Sequence, residues 1–503
     1  MVKLTISYIS TLMKYLLGID LGSSSIKASL VDADTGTTIA ASQSPKEEMA
    51  MKAVQPGWAE QEPDLWWEHA RNAIHATLNA SKVSGTEILA IGISYQMHGL
   101  VCVDRNKKVL RPSIIWCDSR AVPYGQDALA KLGETYCLGS LLNSPGNFTA
   151  SKLKWVKENE PDIFSKVDKI MLPGDYLAMR LTGEIVTTAS GLSEGILWDF
   201  KQNKVADKLL EHYGFPASVI PPIVPTFSVQ GKLLKDVAAD LGLAAGTPVS
   251  YRAGDQPNNA FSLNVVNPGE TAATAGTSGV IYSVTEKNAF DPKSRVNTFM
   301  HVSEGNNGVL LCVNGTGILN SWLRKTSGGV PYDQMNQLAS TAPIGSDGLV
   351  ILPFGNGAER ILENKEIGAS VEGLNFNIHS QAHMFRAAQE GIVYSLGYGF
   401  DILKNMGLKT KVIRAGKANM FLSPLFREAF VNTIGAQLEL YDTDGAKGAA
   451  LGAGKGAGLY KTFPETFKGL TKLHVEEPNM SKSEQYASAY STWTRSLIKR
   501  INS

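Results

Sequence analysis

The sequence predicts an α/β protein built as two similar halves, and three observations carry that expectation. Strand-like apolar runs alternate with helix-like periodic stretches, the pattern of a sheet covered by helices. A polar, glycine-bearing turn between two strand-like runs occurs at residues 20–25 and again at 276–279, once near the start of each half. The chain has 503 residues, more than one compact core accommodates.

Each element follows from local chemistry. Residues 14–19 form an apolar strand, Asp20-Leu21-Gly22-Ser23-Ser24-Ser25 supplies a turn, and residues 26–31 form a second strand. Residues 64–78 read as a helix with Leu65, Trp66, His69, Ile74 and Leu78 on one face. Residues 88–94 suit a buried strand. In the second half, strands at 271–275 and 280–282 flank Gly276-Thr277-Ser278-Gly279. A short strand at 411–414 leads into the turn Ala415-Gly416-Lys417-Ala418-Asn419, and a helix at 423–434 carries Pro424 in its first turn. Residues 446–459 form a helix with glycines at 448, 452, 454, 456 and 458, which weakens helix propensity and allows close backbone packing. The junction between halves is expected near 261–268, giving domains 1–262 and 263–503.

Composition narrows the class. The chain is 43% hydrophobic and 19% charged, an ordinary globular balance. A formal net charge of +1 argues against general nucleic-acid or membrane-surface binding. The four cysteines, Cys102, Cys117, Cys137 and Cys312, form no CxxC pair and lie at no metal-ligand spacing, so a reducing, cytoplasmic setting is expected. Residues 1–13 faintly resemble a signal peptide, but they lack a small-residue cleavage site and read better as an extended start before Met13. No later stretch is long and apolar enough for a transmembrane helix.

Several segments can carry chemistry. In the glycine-serine turn that opens at Gly18, Gly22, Ser23 and Ser24 offer backbone N–H groups and hydroxyls where phosphate oxygens can approach, with Asp20 placed to hold Mg²⁺ beside them. Alone, this hairpin reads first as a solvated β-turn, and it is not a P-loop. The second turn, with Gly276 and Thr277, makes a two-sided phosphate clamp the better reading. Asp255 ends an apolar approach near the junction. It suits a base for an attacking hydroxyl, and it equally suits a helix cap. Gln96-Met97-His98-Gly99 follows a strand, where polar groups face the ligand crevice of an α/β sheet, although a lone loop histidine is more often structural. Trp116-Cys117-Asp118-Ser119-Arg120 mixes an aromatic with polar groups, as sugar sites and ordinary surfaces both do. The Ala415–Asn419 turn can let a flat base lie against backbone.

Taken together, these motifs resemble the FGGY family of carbohydrate kinases, and within it the kinases of D-xylulose. The resemblance runs in order from about Tyr15 to Tyr460. It includes Gly18-Ile19-Asp20-Leu21-Gly22, Gln96-Met97-His98-Gly99, the segments 149–156 and 385–391, Gly254-Asp255, Gly276-Thr277-Ser278-Gly279 and the segment 445–450. It implies two ribonuclease-H-like (actin-like ATPase) domains with a deep cleft, sugar held mainly by the first and ATP mainly by the second. It implies Asp255 as catalytic base, Asp20 at the Mg²⁺–phosphate region, and Gly22, Ser23, Ser24, Gly276 and Thr277 around the phosphates. Gly416 and Asn419 would lie near adenosine, and Met97, His98 and Gln256 near the sugar. The expected partner is a ketopentose, with no nucleic acid or membrane and with a homodimer as the assembly. Two residues depart from the pattern: Gln256 stands where Asn is usual, and Ala415-Gly416 stands where Gly-Gly is usual. The first keeps ribulose, gluconate or another polyol as alternative acceptors. An actin-like nucleotide switch is the alternative from another class.

Overall fold

The computed structural model describes residues 14–503, so the reading of residues 1–13 lies outside the described residues. The first sheet comprises β1 (Tyr15–Leu21), β2 (Ile26–Asp32), β3 (Thr38–Ser44), β4 (Ile88–Tyr95), β5 (Phe227–Lys232) and β6 (Pro248–Gly254). Its spatial order is β5-β6-β4-β1-β2-β3. The second comprises β7 (Thr271–Ala275), β8 (Gly279–Thr285), β9 (Asn297–Met300), β10 (Asn307–Val313), β11 (Val412–Gly416), β12 (Gln437–Tyr441) and β13 (Lys472–Glu476), in the order β9-β10-β8-β7-β11-β12-β13.

The two sheets share one pairing scheme. In the first, β1 pairs antiparallel with β2 and β2 with β3, while β1–β4 and β4–β6 run parallel. In the second, β7 pairs antiparallel with β8 and β8 with β10, while β7–β11 and β11–β12 run parallel. An antiparallel edge strand closes each parallel side, β5 on β6 and β13 on β12. The duplication expected from two glycine turns is therefore a duplication of the whole sheet.

Helices cover both sheets. The main ones are α1 (Pro63–Ser81), α2 (Thr149–Asn159), α3 (Asp255–Ser262), α4 (Gly317–Thr326), α5 (Gln381–Asn405), α6 (Pro424–Ile434), α7 (Gly445–Gly456) and α8 (Met480–Asn502). Helix α1 packs on β2 and β3. Its buried stripe is Trp66, Ala70, Ala73, Ile74 and Thr77; Leu65, His69 and Leu78 flank it half-buried. The expected face was thus rotated, because small residues let the helix axis lie close to the strands. Strand β8 alternates: Val280, Tyr282 and Val284 pack towards first-half residues such as Met97 and Phe148, while Ile281 faces the second-half core with Ile392 and Phe430.

The glycine-rich helix α7 lies where its composition predicts close backbone contact, but against the other half. It packs across β1, β4 and β6 of the first sheet. A Cβ placed on Gly18 would lie 1.8 Å from the Ala446 carbonyl oxygen, and one on Gly92 would lie 2.0 Å from that of Ala449. Gly18 is therefore a packing residue in mid-strand rather than the opening of a phosphate turn. A core cluster joining Leu16, Tyr251 and Phe261 to Ala449, Ala453 and Phe467 seals this contact. Among the described residues, no helix is long and apolar enough to cross a membrane.

Candidate active site

Strand register assembles the site. In the parallel core of the first sheet, Asp20 lies opposite Ser94, and Ser94 lies opposite Ala253. The residues that follow, Gly22 after β1, Gln96-Met97-His98 after β4 and Asp255 after β6, therefore emerge side by side at the carboxyl edge, where α/β sheets bind ligands. A cavity of about 330 Å³ opens there between the halves. Gln96, Met97, His98, Phe148, Asp255 and Gln256 form its first-half wall, and Ser278, Asn297, Cys312 and Arg360 belong to the opposite wall. A larger hollow of about 570 Å³ lies elsewhere, among Gly345, Glu390, Tyr394 and Trp493; none of the residues expected at the phosphates, adenosine, metal or sugar lines it, although Ala387 and Glu390 of the segment 385–391 do.

Asp255 is the first residue of α3 and not its cap, which is Gly254, and no side chain caps this helix, so the capping alternative does not hold. A helix N-terminus favours a carboxylate. Burial outweighs that here and, with the nearby Asp20 charge, pushes the Asp255 carboxyl up to about 7. Gln256 Nε2 donates to Asp255 Oδ2 at 3.2 Å, so Gln256 both lines the cavity and steadies the acid. Asp20 is also raised, first by burial and also by Asp444, against the opposing pull of Lys27. Its carboxylate lies over Gly445, where a Cβ would come within 2.5 Å of Oδ2, so glycine is required at the start of α7. The buried Ser94 hydroxyl, opposite Asp20 in register, opposes that rise by hydrogen-bonding towards the Asp20 carboxylate.

His98 is held in one tautomer. Its backbone is left-handed, with φ of 62°. Its ring packs edge-on to Phe148 at 4.8 Å and tilted against Phe299 at 5.2 Å. Nδ1 lies 2.9 Å from the Glu194 carbonyl oxygen. A carbonyl only accepts, so Nδ1 carries the proton and Nε2 remains an acceptor. Burial first, and the Lys152 charge next, pull the ring down to about 3, so it stays neutral. Lys152 of α2 is itself buried and donates to the carbonyl oxygens of His98 at 2.8 Å and Ile115 at 2.9 Å. It fastens the Met97–His98 loop to α2; the resemblance marked the segment 149–156 but gave Lys152 no role. Lys152→Met is expected to raise KM for the sugar several-fold while leaving KM for ATP within about twofold, as a lost charge-assisted hydrogen bond in one wall predicts; separate titration of the two substrates checks it.

The phosphate-type residues form a band beside the cavity. Gly445, under Asp20, adjoins Thr443, whose carbonyl oxygen lies 3.3 Å from where a Gly416 Cβ would sit. Asn419 Nδ2 would lie 3.5 Å from a Cβ on Gly276. The carbonyl oxygens of Gly276 and Thr277 accept from the Gly317 and Ile318 amides of α4 at 2.9 and 3.2 Å. Thr277 and Ser24 are exposed at their turns. Ser23 is tied to the first-half wall of the cavity: Trp116 Nε1 donates to its hydroxyl at 3.4 Å and Gln61 Nε2 to its carbonyl at 2.7 Å. The fold thus gathers both turns and the 416–419 turn, far apart in sequence, along one line. Among the described residues, no group of three or more His, Cys, Asp or Glu is arranged to hold a metal by itself.

Comparison with known proteins agrees with this geometry. The model of the FGGY family of carbohydrate kinases, N-terminal domain, matches residues 15–262. The xylulose kinase of Bacillus subtilis (strain 168) is 31% identical over 461 residues, 90% of each chain. That of Escherichia coli (strain K12) is 30% identical over 475 residues, 94% of this chain and 95% of its own. The chain belongs to the FGGY family of carbohydrate kinases. The solved xylulose kinase from Rhodospirillum rubrum superposes with a TM-score of 0.86 at 25% identity, covering 97% of this chain and all of its own. The duplicated sheets are thus the two actin-like ATPase domains of FGGY kinases, with the cavity in the cleft between them. Phe148, Glu194 and Arg360 join this candidate site from segments that carried no distinguishing local pattern, and Lys152 joins it from the segment 149–156, which the resemblance marked without giving this residue a role.

Proposed function

We propose that this FGGY kinase phosphorylates D-xylulose on its terminal 5-hydroxyl, using MgATP. The observation that carries this is the half-buried Asp255, poised near neutrality in one interdomain cavity with Met97 and an acceptor-only His98 Nε2. Its nearest curated support is the set of xylulose kinase relatives at about this level of similarity.

In this reading Asp255 accepts the proton of the attacking hydroxyl as that oxygen bonds to the γ-phosphorus and the ADP oxygen leaves. His98 Nε2 accepts from a second sugar hydroxyl and fixes the acceptor in line. The amides and hydroxyls of Ser23, Ser24, Gly276 and Thr277 receive phosphate oxygens, Gly22 lets the phosphates approach while its own amide holds the turn through the Ser25 carbonyl at 3.1 Å, and Gly416 and Asn419 flank adenosine. Residues 1–262 form the mainly sugar-binding domain and 263–503 the mainly nucleotide-binding one, with α7 as the shared wall. A Mg²⁺ fits the chemistry at Asp20, because two neighbouring acids, Asp20 and Asp255, each burdened by burial, are relieved by a cation. When bound it neutralises charge on the phosphates.

The test is ADP release by the purified chain with D-xylulose, L-xylulose, D-ribulose, L-ribulose, gluconate and glycerol. D-xylulose should give the highest kcat/KM. Absence of stimulation by every sugar would instead support a nucleotide switch. The base must be ionised, so kcat/KM should fall about tenfold per pH unit below the Asp255 pKa and level off above it; a flat profile between pH 5 and 8 contradicts the assignment.

A further inference from the structure

The second-half wall of the cavity carries a guanidinium that no carboxylate neutralises. Arg360 lines the cavity with His98, Asp255 and Gln256. It has no ion-pair partner among the described residues, and the neighbouring Cys312 thiol is neutral, pushed up to about 12 by burial. Glu359, directly before it, is committed to the loop: its carboxylate accepts from the amides of Asn314 at 3.0 Å and Gly315 at 3.3 Å. Arg360 Nη1 donates to the Ser294 carbonyl at 3.2 Å, and its guanidinium carbon lies 5.7 Å from the Phe148 ring centre across the cleft. Burial draws it down to about 10, so it remains charged at neutral pH.

Side-chain amides line both walls and can donate or accept, but three groups are one-sided: His98 Nε2 and ionised Asp255 only accept, and Arg360 on the opposite wall only donates. A ligand group set against Arg360 should therefore present an acceptor. In a five-carbon 2-ketose, O5 is the ring-closing oxygen, so a sugar phosphorylated on O5 must be open-chain and carry a free ketone. A ketone oxygen only accepts.

We propose that Arg360 is a specificity-determining residue that donates to the ketone oxygen of the open-chain substrate and so selects ketoses over alditols. An alditol hydroxyl there can accept from Arg360 only with its own hydrogen turned away, so that hydrogen must find another acceptor in the cavity, a demand the ketone does not make. This inference rests on the pentulose reading above.

The experiment measures kcat/KM for D-xylulose and for its two C2-reduction products, xylitol and D-arabitol, with D-xylonate as an anionic control. The wild type should favour D-xylulose over both alditols. Arg360→Met should lower kcat/KM for D-xylulose about 10- to 100-fold, the usual cost of a lost charged hydrogen bond, while changing the alditols little, so the preference collapses. Arg360→Lys should restore part of it, and KM for ATP should hold in both variants. Equal losses on all three acceptors, or an unchanged preference in either variant, overturn the proposal. So does a wild type that favours D-xylonate, which would make Arg360 a carboxylate clamp. If the wild type turns over another sugar but not D-xylulose, the pentulose reading itself has failed and this inference falls with it; that result appears before any variant is assayed.

Discussion

Asp255→Asn is expected to lower kcat for D-xylulose by about 10² or more, the scale of a lost general base, with KM for ATP little changed. Single-turnover ADP formation checks it, and a folded variant with near-normal turnover removes Asp255 from the mechanism. The same variant should be more stable than the wild type. Folding buries a carboxyl whose pKa rises to about 7 from an unfolded value near 4. The folded state holds this proton more tightly, so the penalty grows as pH rises through that window and is complete above about 7. Asparagine cannot ionise, so its gain in Tm should be larger at pH 8 than at pH 5. Loss of activity together with this pH-dependent gain separates a base kept under electrostatic strain from a residue that merely begins α3.

Gly18→Ala is expected to destabilise the protein by at least about 3 kcal/mol, the upper range for overpacking, because the added carbon meets backbone rather than a movable side chain. The clash is with the Ala446 carbonyl, and Ala446 belongs to the first turn of α7. That turn also carries Gly445, on which the Asp20 carboxylate rests. Displacing the helix therefore shifts Asp20 and the neighbouring 443–445 loop, so nucleotide affinity should fall along with Tm. Thermal unfolding with and without ADP measures both. Gly92→Ala, facing Ala449 in the same way, should behave alike. A variant at either position with wild-type stability would show that α7 does not dock as described.

Much of this was legible in the linear chain. The hairpins around residues 22 and 276, the strand at 88–94 and the helix at 423–434 are local consequences of turn chemistry, periodicity and a proline at a helix start, and they form as read. The resemblance of ordered motifs was enough to indicate the family and to single out Asp255, Met97 and His98. These are side chains at strand ends, and strand ends can be located from sequence.

Other features required the folded chain. Asp255 is unusual because Asp20 and the protein interior surround it, and neither condition is visible in the order of residues. The proton on His98 is fixed by a carbonyl 96 residues away, and its loop by Lys152, 54 residues away. Arg360 matters because Glu359 beside it turns to other amides, a choice made by loop geometry. Gly18 looked like part of a phosphate turn and proved to be the seat of a helix from the other half. Turns and periodic faces arise from interactions a few residues long, so sequence specifies them; pKa, tautomer and neutralisation depend on which distant groups share a desolvated space, and only tertiary packing settles that.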